Sequence, residues 1–514
     1  MTLTTHPPDP SPLADEVADV SPLARIVRNS AFNAAGTLLI VPFNMLALFL
    51  LARRLGTQPM GTFVTIFSIS AVIHWVADAG TTTVLMRRVS RAPGQLRAIV
   101  GEAAGVLLVV CIVSAAMFFL IATPWMAFGR TGISMPLLIV AATAMASRHA
   151  LEFAANALRG LERFEFENIS RVIQTFTFCL FVWLWVYPDN GGALGGFIAF
   201  AASNFIAVAF LWGVLIVKWQ CTSFTLSRAV VRQWWTEAIP MGAGDVVRQL
   251  LMHIDVLLLF VFRPLSRVGL YGMAARPLQP LQMLPRIIVS VTFPGFSRAA
   301  HLNRSAISRM FARTTNLLWS ASLPISIGIS MCATPLIVAT AGPAFAEAAG
   351  PLQILIWGTG LLFINAQLRF VLTALDAEQR YWRLICYAFV AKLLLEIALI
   401  PIWGMYGAAW GNLLGEGVLC VAGLYTLHRL DVAAPPVSQL LRVMPAAAAM
   451  ALVLWPFSGA DARLIPMLLA GVVSGIVYVI VCLVTGVWPW SDVMRIWGAI
   501  TNKTAPAVDE AVAG

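Results

Sequence analysis

Residues 197–217 read FIAFAASNFIAVAFLWGVLIV, twenty-one positions without one Asp, Glu, Lys or Arg. At 1.5 Å per residue, a helix of that length covers about 30 Å, the thickness of a bilayer's hydrocarbon core. Thr37–Ala52 and Leu464–Val484 are likewise uncharged, and Gly101–Ala122 carries only Glu102. Lipid offers no hydrogen bonds to a backbone, so runs of this kind are expected to be helices. Of 514 residues, 59% are hydrophobic and 11% charged, where soluble domains carry about 25% charged residues. A water-facing surface cannot be built from so few charges. The sequence predicts an all-α polytopic membrane protein.

The same reading places helices at 30–52, 62–85, 99–122, 134–158, 167–187, 194–217, 238–262, 269–294, 314–338, 350–374, 383–402, 407–427, 443–457 and 464–485, about 14 in all. The net charge of +10 would suggest nucleic acid in a soluble protein, but in a membrane protein basic residues first answer to topology. Of the 34 Lys and Arg, 21 fall in the two terminal segments and every second connection, including Arg87, Arg88, Arg91 and Arg97, and Arg298, Arg304, Arg309 and Arg313. Six fall in the other connections (Arg53, Arg54, Arg130, Arg263, Arg267, Arg463) and seven inside spans. This asymmetry predicts an inner-membrane protein with both termini cytoplasmic, and no nucleic-acid partner. The seven cysteines are scattered singly, so neither a disulfide framework nor a metal site is expected. Met1–Pro22 lacks the basic start and apolar core of a signal peptide and reads as a disordered tail, as does Asn502–Gly514.

An internal repeat organises the chain. Gly61-Thr62-Phe63 returns as Gly269-Leu270-Tyr271; Ala157-Leu158 with Arg163-Phe164 returns as Ala374-Leu375 with Arg380-Tyr381; Gly192-Ala193-Leu194-Gly195-Gly196 returns as Gly407-Ala408-Ala409-Trp410-Gly411. The offsets stay near 210 residues, so two six-helix bundles are expected, pseudo-symmetric, with two added C-terminal helices. The expected divisions are a tail at 1–24, bundles at 25–217 and 238–430 joined by a linker at 218–237, two further helices in 431–490 and a tail at 491–514.

With these elements placed, the chain resembles the polysaccharide-transport, or O-antigen flippase, branch of the multidrug/oligosaccharidyl-lipid/polysaccharide exporter superfamily. The residues that carry the resemblance are Asn33 to Pro42, Arg54-Leu55-Gly56 with Met60-Gly61-Thr62-Phe63, and Asp78-Ala79-Gly80. The second half adds Ile239-Pro240, Ile254-Asp255, Val268-Gly269-Leu270-Tyr271 with Ala274-Ala275-Arg276, and Phe293-Pro294 with Phe296-Ser297-Arg298. The similarity covers roughly residues 25–485. It implies two bundles around a cavity, alternating access, and flipping of a polyprenyl-diphosphate-linked oligosaccharide for O-antigen, capsule or exopolysaccharide. It also implies membrane lipids, a polysaccharide polymerase and a chain-length regulator as partners, and no cofactor.

An ionisable group at mid-span costs roughly 2.5–3.5 kcal/mol, which makes each one a functional candidate. Some can neutralise themselves along one helix face: Arg148 with Glu152, Lys392 with Glu396, Asp245 with Arg248. Arg171, near a helix end, can snorkel to the headgroups. Arg276, Arg286 and Arg369 have no carboxylate three or four positions away. A guanidinium stays charged and forks onto phosphate oxygens, which suits a diphosphate headgroup. The substrate-binding candidates are therefore Arg276, Arg286, Arg369, Arg248 and Arg148. Asp78, Asp255 and Glu416 are the candidates for ion coupling, with interhelical pairing to those arginines as the structural alternative.

Two other functions compete. A cation-coupled multidrug exporter of the same superfamily would want an acidic cavity, and the first helix has no carboxylate. A membrane-embedded sugar polymerase or glycosyltransferase would need acid and base groups on a sizeable outer loop, and the outer loops are about a dozen residues or fewer. The chain is expected not to be an enzyme, and no G-x-x-x-x-G-K-[ST] loop points to nucleotide hydrolysis.

Overall fold

Asp78-Ala79-Gly80 interrupts the second helix, and this break is the first departure from the predicted run over 62–85. Ala79 and Gly80 take φ of 47° and 96°, backbone that glycine adopts at little cost. The computed structural model describes residues 40–127, 133–186, 191–302, 304–459 and 464–488. The expected tails at 1–24 and 491–514, and Arg130 and Arg463, lie outside the described residues.

In chain order the helices are α1 (residues 40–55), α2 (Thr57–Asp78), α3 (Thr81–Arg91), α4 (Leu96–Ala127), α5 (Met135–Gly160), α6 (Phe164–Phe181), α7 (Gly192–Trp219), α8 (Arg228–Phe262), α9 (Leu265–Ala275), α10 (Met283–Leu302), α11 (Arg304–Met331), α12 (Ala333–Ala341), α13 (Ala349–Ala374), α14 (Glu378–Trp403), α15 (Met405–His428), α16 (Met444–Leu454) and α17 (Leu464–Val484). Single turns at Leu278–Leu281 and Val437–Leu441 lie between them. No described residue is in a strand. Among the described residues ten helices are long and apolar enough to cross a membrane, or up to eleven if α11 and α12, bent by 69° at Cys332, form one span. The predicted runs over 269–294 and 314–338 are thus broken as well. Pro277, Pro280 and Pro285 remove backbone donors at the first break.

The described residues form two compact units, the first within 40–55 and 66–249, the second within 56–65 and 250–488. In the first unit α5 packs against α4, α6 and α7, with Leu85, Val106, Phe153, Leu158, Leu211 and Trp234 in its core. In the second, α15 packs against α13 and α14, and α11 against α13 and α16. Phe311, Leu368 and Leu372 fill one core there, and Leu323, Met450 and Tyr478 another. Large apolar side chains also face outward, such as Val217 and Val484, each 81% exposed, as expected where the solvent is hydrocarbon.

The first repeat anchor meets its own counterpart. A Cβ on Gly61 would lie 1.7 Å from the carbonyl oxygen of Leu265, and one on Gly269 2.1 Å from that of Thr57. The contact is reciprocal, each glycine facing the residue four positions before the other. Only hydrogen at both positions allows α2 and α9 this approach.

Within the stretch 218–237, the residues between α7 and α8 are tied to α4. Between α7 and α8 the Thr225 N–H donates to Gly101 O at 2.9 Å, and the Ser223 hydroxyl to Arg97 O at 2.5 Å. Helix α8 has 35 residues and so is about 50 Å long, longer than the hydrocarbon core, and its first turns carry Arg228, Arg232 and Glu237. Glu237 accepts from Arg87 and Arg88, each at 2.7 Å. Arg88 also bonds Glu102 at 3.1 Å and lies over the Trp234 ring. The hydrogen bond from Arg88 holds the Glu237 carboxyl below its ordinary value of 4.5, against the opposing effect of burial. A depressed carboxyl stabilises fully above its unfolded value and loses that contribution as pH falls through the folded one. Melting of the wild type should therefore exceed that of Glu237→Gln at pH 7, and the gap should narrow as pH falls below 4.5. A gap that does not vary with pH would show the clamp does not depend on the charge of Glu237.

Candidate functional site

In the second unit, α9 ends at Ala275 because Pro277 cannot continue its hydrogen bonding. Arg276 sits at this end, 9% exposed. Its Nη1 reaches Gln279 Oε1 at a long 3.4 Å, and its Nε has no hydrogen-bond partner among the described residues. Among the described residues of this unit Arg276 forms no ion pair with Asp255 or Glu416, which accept from Tyr271 and Asn365. Arg369 is exposed on α13 and makes no hydrogen bond or ion pair with the described residues. The side chain of Arg286 lies outside the described residues.

The buried charge of this unit is concentrated where α8, α9, α13, α14 and α15 supply one cluster. Lys392 and Glu396, one turn apart on α14, are 6% and 0% exposed at the side chain, with Nζ 3.7 Å from Oε1. Lys392 also donates to Leu251 O at 2.7 Å, and Asp255 and Glu416 act on its charge as well. Asp255 accepts from the Tyr271 hydroxyl at 2.5 Å and from Asn412 Nδ2 at 3.5 Å. Glu416 accepts from Asn365 Nδ2 at 2.6 Å. Neither oxygen of Glu396 has a hydrogen bond among the described residues. Glycines make this burial possible: a Cβ on Gly411 would lie 2.4 Å from Glu396 Cγ, and one on Gly415 2.9 Å from Lys392 Cβ. With three carboxylates and one ammonium, the cluster has the composition to take a further positive charge.

In the first unit Asp78 is occupied locally. Its carboxylate accepts from Gly80 N (3.1 Å), Thr81 Oγ1 (2.7 Å), Thr82 N (3.2 Å) and Thr82 Oγ1 (2.9 Å). It caps α3 across the break, satisfying donors a helix start leaves orphaned. Arg248 pairs with Asp245 at 2.7 Å, as its spacing predicts. Arg148 and Glu152 form no ion pair within 4 Å among the described residues, although Glu152 acts on the charge of Arg148. Arg171, expected to snorkel, bonds Glu167 at 2.8 Å instead. Arg148 lines a small cavity with Phe67, Ser70, Ala144, Phe197 and Phe200.

Sequence reasoning missed Tyr271, Asn365 and Asn412, which lie 16, 51 and 157 positions from the carboxylates they contact. Neutral polar residues inside spans were the signal available. Lys392 and Glu396 were recognised as a pair, but not as the centre of a larger cluster.

Residues 26–300 match the family described as "Polysaccharide biosynthesis protein". Over 250 residues the chain is 25% identical to "Probable flippase AglR" of Haloferax volcanii, covering 48% of this chain and 52% of that protein. It is 21% identical over 289 residues to "Uncharacterized membrane protein MJ1068" of Methanocaldococcus jannaschii, covering 54% and 56%. The chain thus spans about half the length of the curated relatives it matches. Among solved structures it is similar to "Lipid II flippase MurJ, inward closed conformation", with TM-score 0.71, 14% identity and coverage of 91% of this chain and 100% of that one. An inward-facing multidrug resistance MATE family transporter follows with TM-score 0.63, 15% identity, and 76% and 94% coverage. At these identities the structural likeness speaks to the fold.

Proposed function

Since the chain belongs to the polysaccharide biosynthesis protein family, we propose that it is a transporter that flips a polyprenyl-diphosphate-linked oligosaccharide from the cytoplasmic to the periplasmic leaflet of a bacterial inner membrane. It does so by alternating access, with both termini cytoplasmic, to supply surface polysaccharide synthesis, and a polymerase and a chain-length regulator take up the product. The observation that carries this reading is Arg276: a buried guanidinium at a proline-broken helix end, with an unpartnered Nε. Such a group is prepared for the forked oxygens of a diphosphate. Arg369, Arg286, Arg248 and Arg148 are the further headgroup candidates, and Asp255 and Glu416 the ion-coupling ones. Asp78 has the weakest claim to coupling, because its capping bonds already employ it.

The test is translocation of a labelled lipid-linked oligosaccharide in proteoliposomes. Arg276→Ala should slow flipping at least tenfold, and Arg276→Lys should recover only part of it, because an ammonium does not fork. Undiminished flipping by Arg276→Ala, Arg286→Ala and Arg369→Ala at equal abundance would overturn the assignment. A second reading, a cation-coupled multidrug exporter, draws on the buried carboxylates Asp255, Glu396 and Glu416.

A further inference from the structure

Arg380 stands at the start of α14 as Arg163 stands at the start of α6, since the internal repeat matches Arg380-Tyr381 to Arg163-Phe164. In the first unit that arginine arrives with its counter-ion. Arg163 pairs with Glu165 at 3.5 Å, and Glu167 beside it takes Arg159 and Arg171. Both acids lie in the first turn of α6. At the matching positions of the second unit stand Trp382 and Leu384, so the acids are gone, and Arg383 replaces Phe166. Arg380 and Arg383, three apart and so neighbours on the helix surface, are both exposed and form no ion pair or hydrogen bond among the described residues. Glu378, the acid of this first turn, lies two and five positions before them, which turns it to other faces of the helix. A helix start is itself partially positive, so the two guanidinium groups add to a charge of their own sign.

From Arg383 the outer face of α14 continues as Tyr387, Val390, Leu394 and Ile397, at the three- and four-residue spacing of one helix face. These are 65%, 51%, 61% and 43% exposed. Lys392 and Glu396 are on the opposite face, against Gly415 and Gly411 of α15. Trp382 and Trp403, 39% and 54% exposed, stand about 30 Å apart along the axis, the separation of the two interfacial aromatic belts. Arg380 and Arg383 therefore lie level with headgroup phosphates, and the apolar track that leads away from them lies level with acyl chains.

We propose that Arg380 and Arg383 form a binding site for one anionic phospholipid, its phosphate between the two guanidinium groups and an acyl chain along Tyr387, Val390 and Leu394. The bound headgroup supplies the counter-ion that Glu165 supplies in the first repeat. Arginine suits the task because its fork matches phosphate oxygens, and basic residues at a membrane surface favour negatively charged lipids over neutral ones. The apolar track selects a lipid over a soluble anion. Since α14 carries Lys392 and Glu396 on its other face, a lipid fixed outside sets the depth and rotation of the helix that holds the buried pair. The site goes beyond the flippase reading and does not depend on it.

The test is native mass spectrometry of the full chain released from detergent and titrated with phosphatidylglycerol or phosphatidylethanolamine of the same acyl chains. The wild type should bind phosphatidylglycerol more tightly than phosphatidylethanolamine, and the double variant Arg380→Gln with Arg383→Gln should weaken that binding about tenfold. Arg309→Gln with Arg313→Gln, which removes equal charge from exposed positions of α11, should leave it close to the wild type. Glycerol phosphate, the same headgroup chemistry without chains, should not displace the lipid at equal concentration. Equal binding of the two lipids would leave the arginines to an acidic protein segment, and displacement by glycerol phosphate would leave them to a soluble anion. Either result, or equal losses in the two double variants, would overturn the proposal.

Discussion

Lys392→Met should destabilise the second unit by about 3–5 kcal/mol, the usual cost of leaving a buried charge without its partner. Lys392 is 6% and Glu396 0% exposed at the side chain, so water cannot replace the lost ammonium. The carbonyl of Leu251 would lose its donor in the same step. The double variant Lys392→Met with Glu396→Met should recover much of the loss, because a buried pair can often be exchanged for apolar side chains at little cost. Full recovery is not expected, since Asp255 and Glu416 also act on Lys392. Thermal unfolding in detergent, read for the two single variants and the double, measures this. Additive losses would mean that the two side chains are not coupled and that the cluster is not one electrostatic unit.

Gly61→Ala and Gly269→Ala should each be severe for the addition of a single methyl. The new Cβ would fall 1.7 Å from Leu265 O in the first case and 2.1 Å from Thr57 O in the second. Both obstacles are backbone, which cannot swing aside as a side-chain end can. The cost should reach or exceed the upper end of the about 1–3 kcal/mol typical of overpacking. The double variant should lose less than the sum, since helices already forced apart by one methyl accept the other more easily. Gly213→Ala is the control: a Cβ there meets nothing within 4 Å, and alanine's better helix propensity should leave stability equal or slightly raised. Equal melting temperatures for Gly61→Ala, Gly269→Ala and Gly213→Ala would show that α2 and α9 do not depend on the glycine contact.

These expectations differ in how far the chain announced them. The repeat brought Gly61 and Gly269 together as matching positions, but only coordinates make them neighbours. Lys392 and Glu396 could be paired on paper because four residues along a helix is a fixed geometry. Asp78 could not be read in the same way. Its role follows from a break at Ala79 and Gly80 that hydropathy does not register, since the residues on both sides remain compatible with a span. The prolines at 277, 280 and 285 cannot continue a helix's hydrogen bonding, and the helix there is interrupted, which is what leaves Arg276 at an end rather than in the middle of a regular helix.

The sequence by itself determined the solvent and the helical class, though not where the helices break: long apolar runs can satisfy their backbones in lipid only as helices, and the family is recognisable from motifs spread over both halves. It also determined which charges demand an explanation, because the cost of burying an ion depends on the residue type and the span that carries it. Only the tertiary structure decided what each of those charges does. Asp255 meets Tyr271 and Asn412, and His74 meets His149, through helix packing, and packing depends on side-chain shape at contacts between segments far apart in the chain, which periodicity and spacing along one helix do not encode.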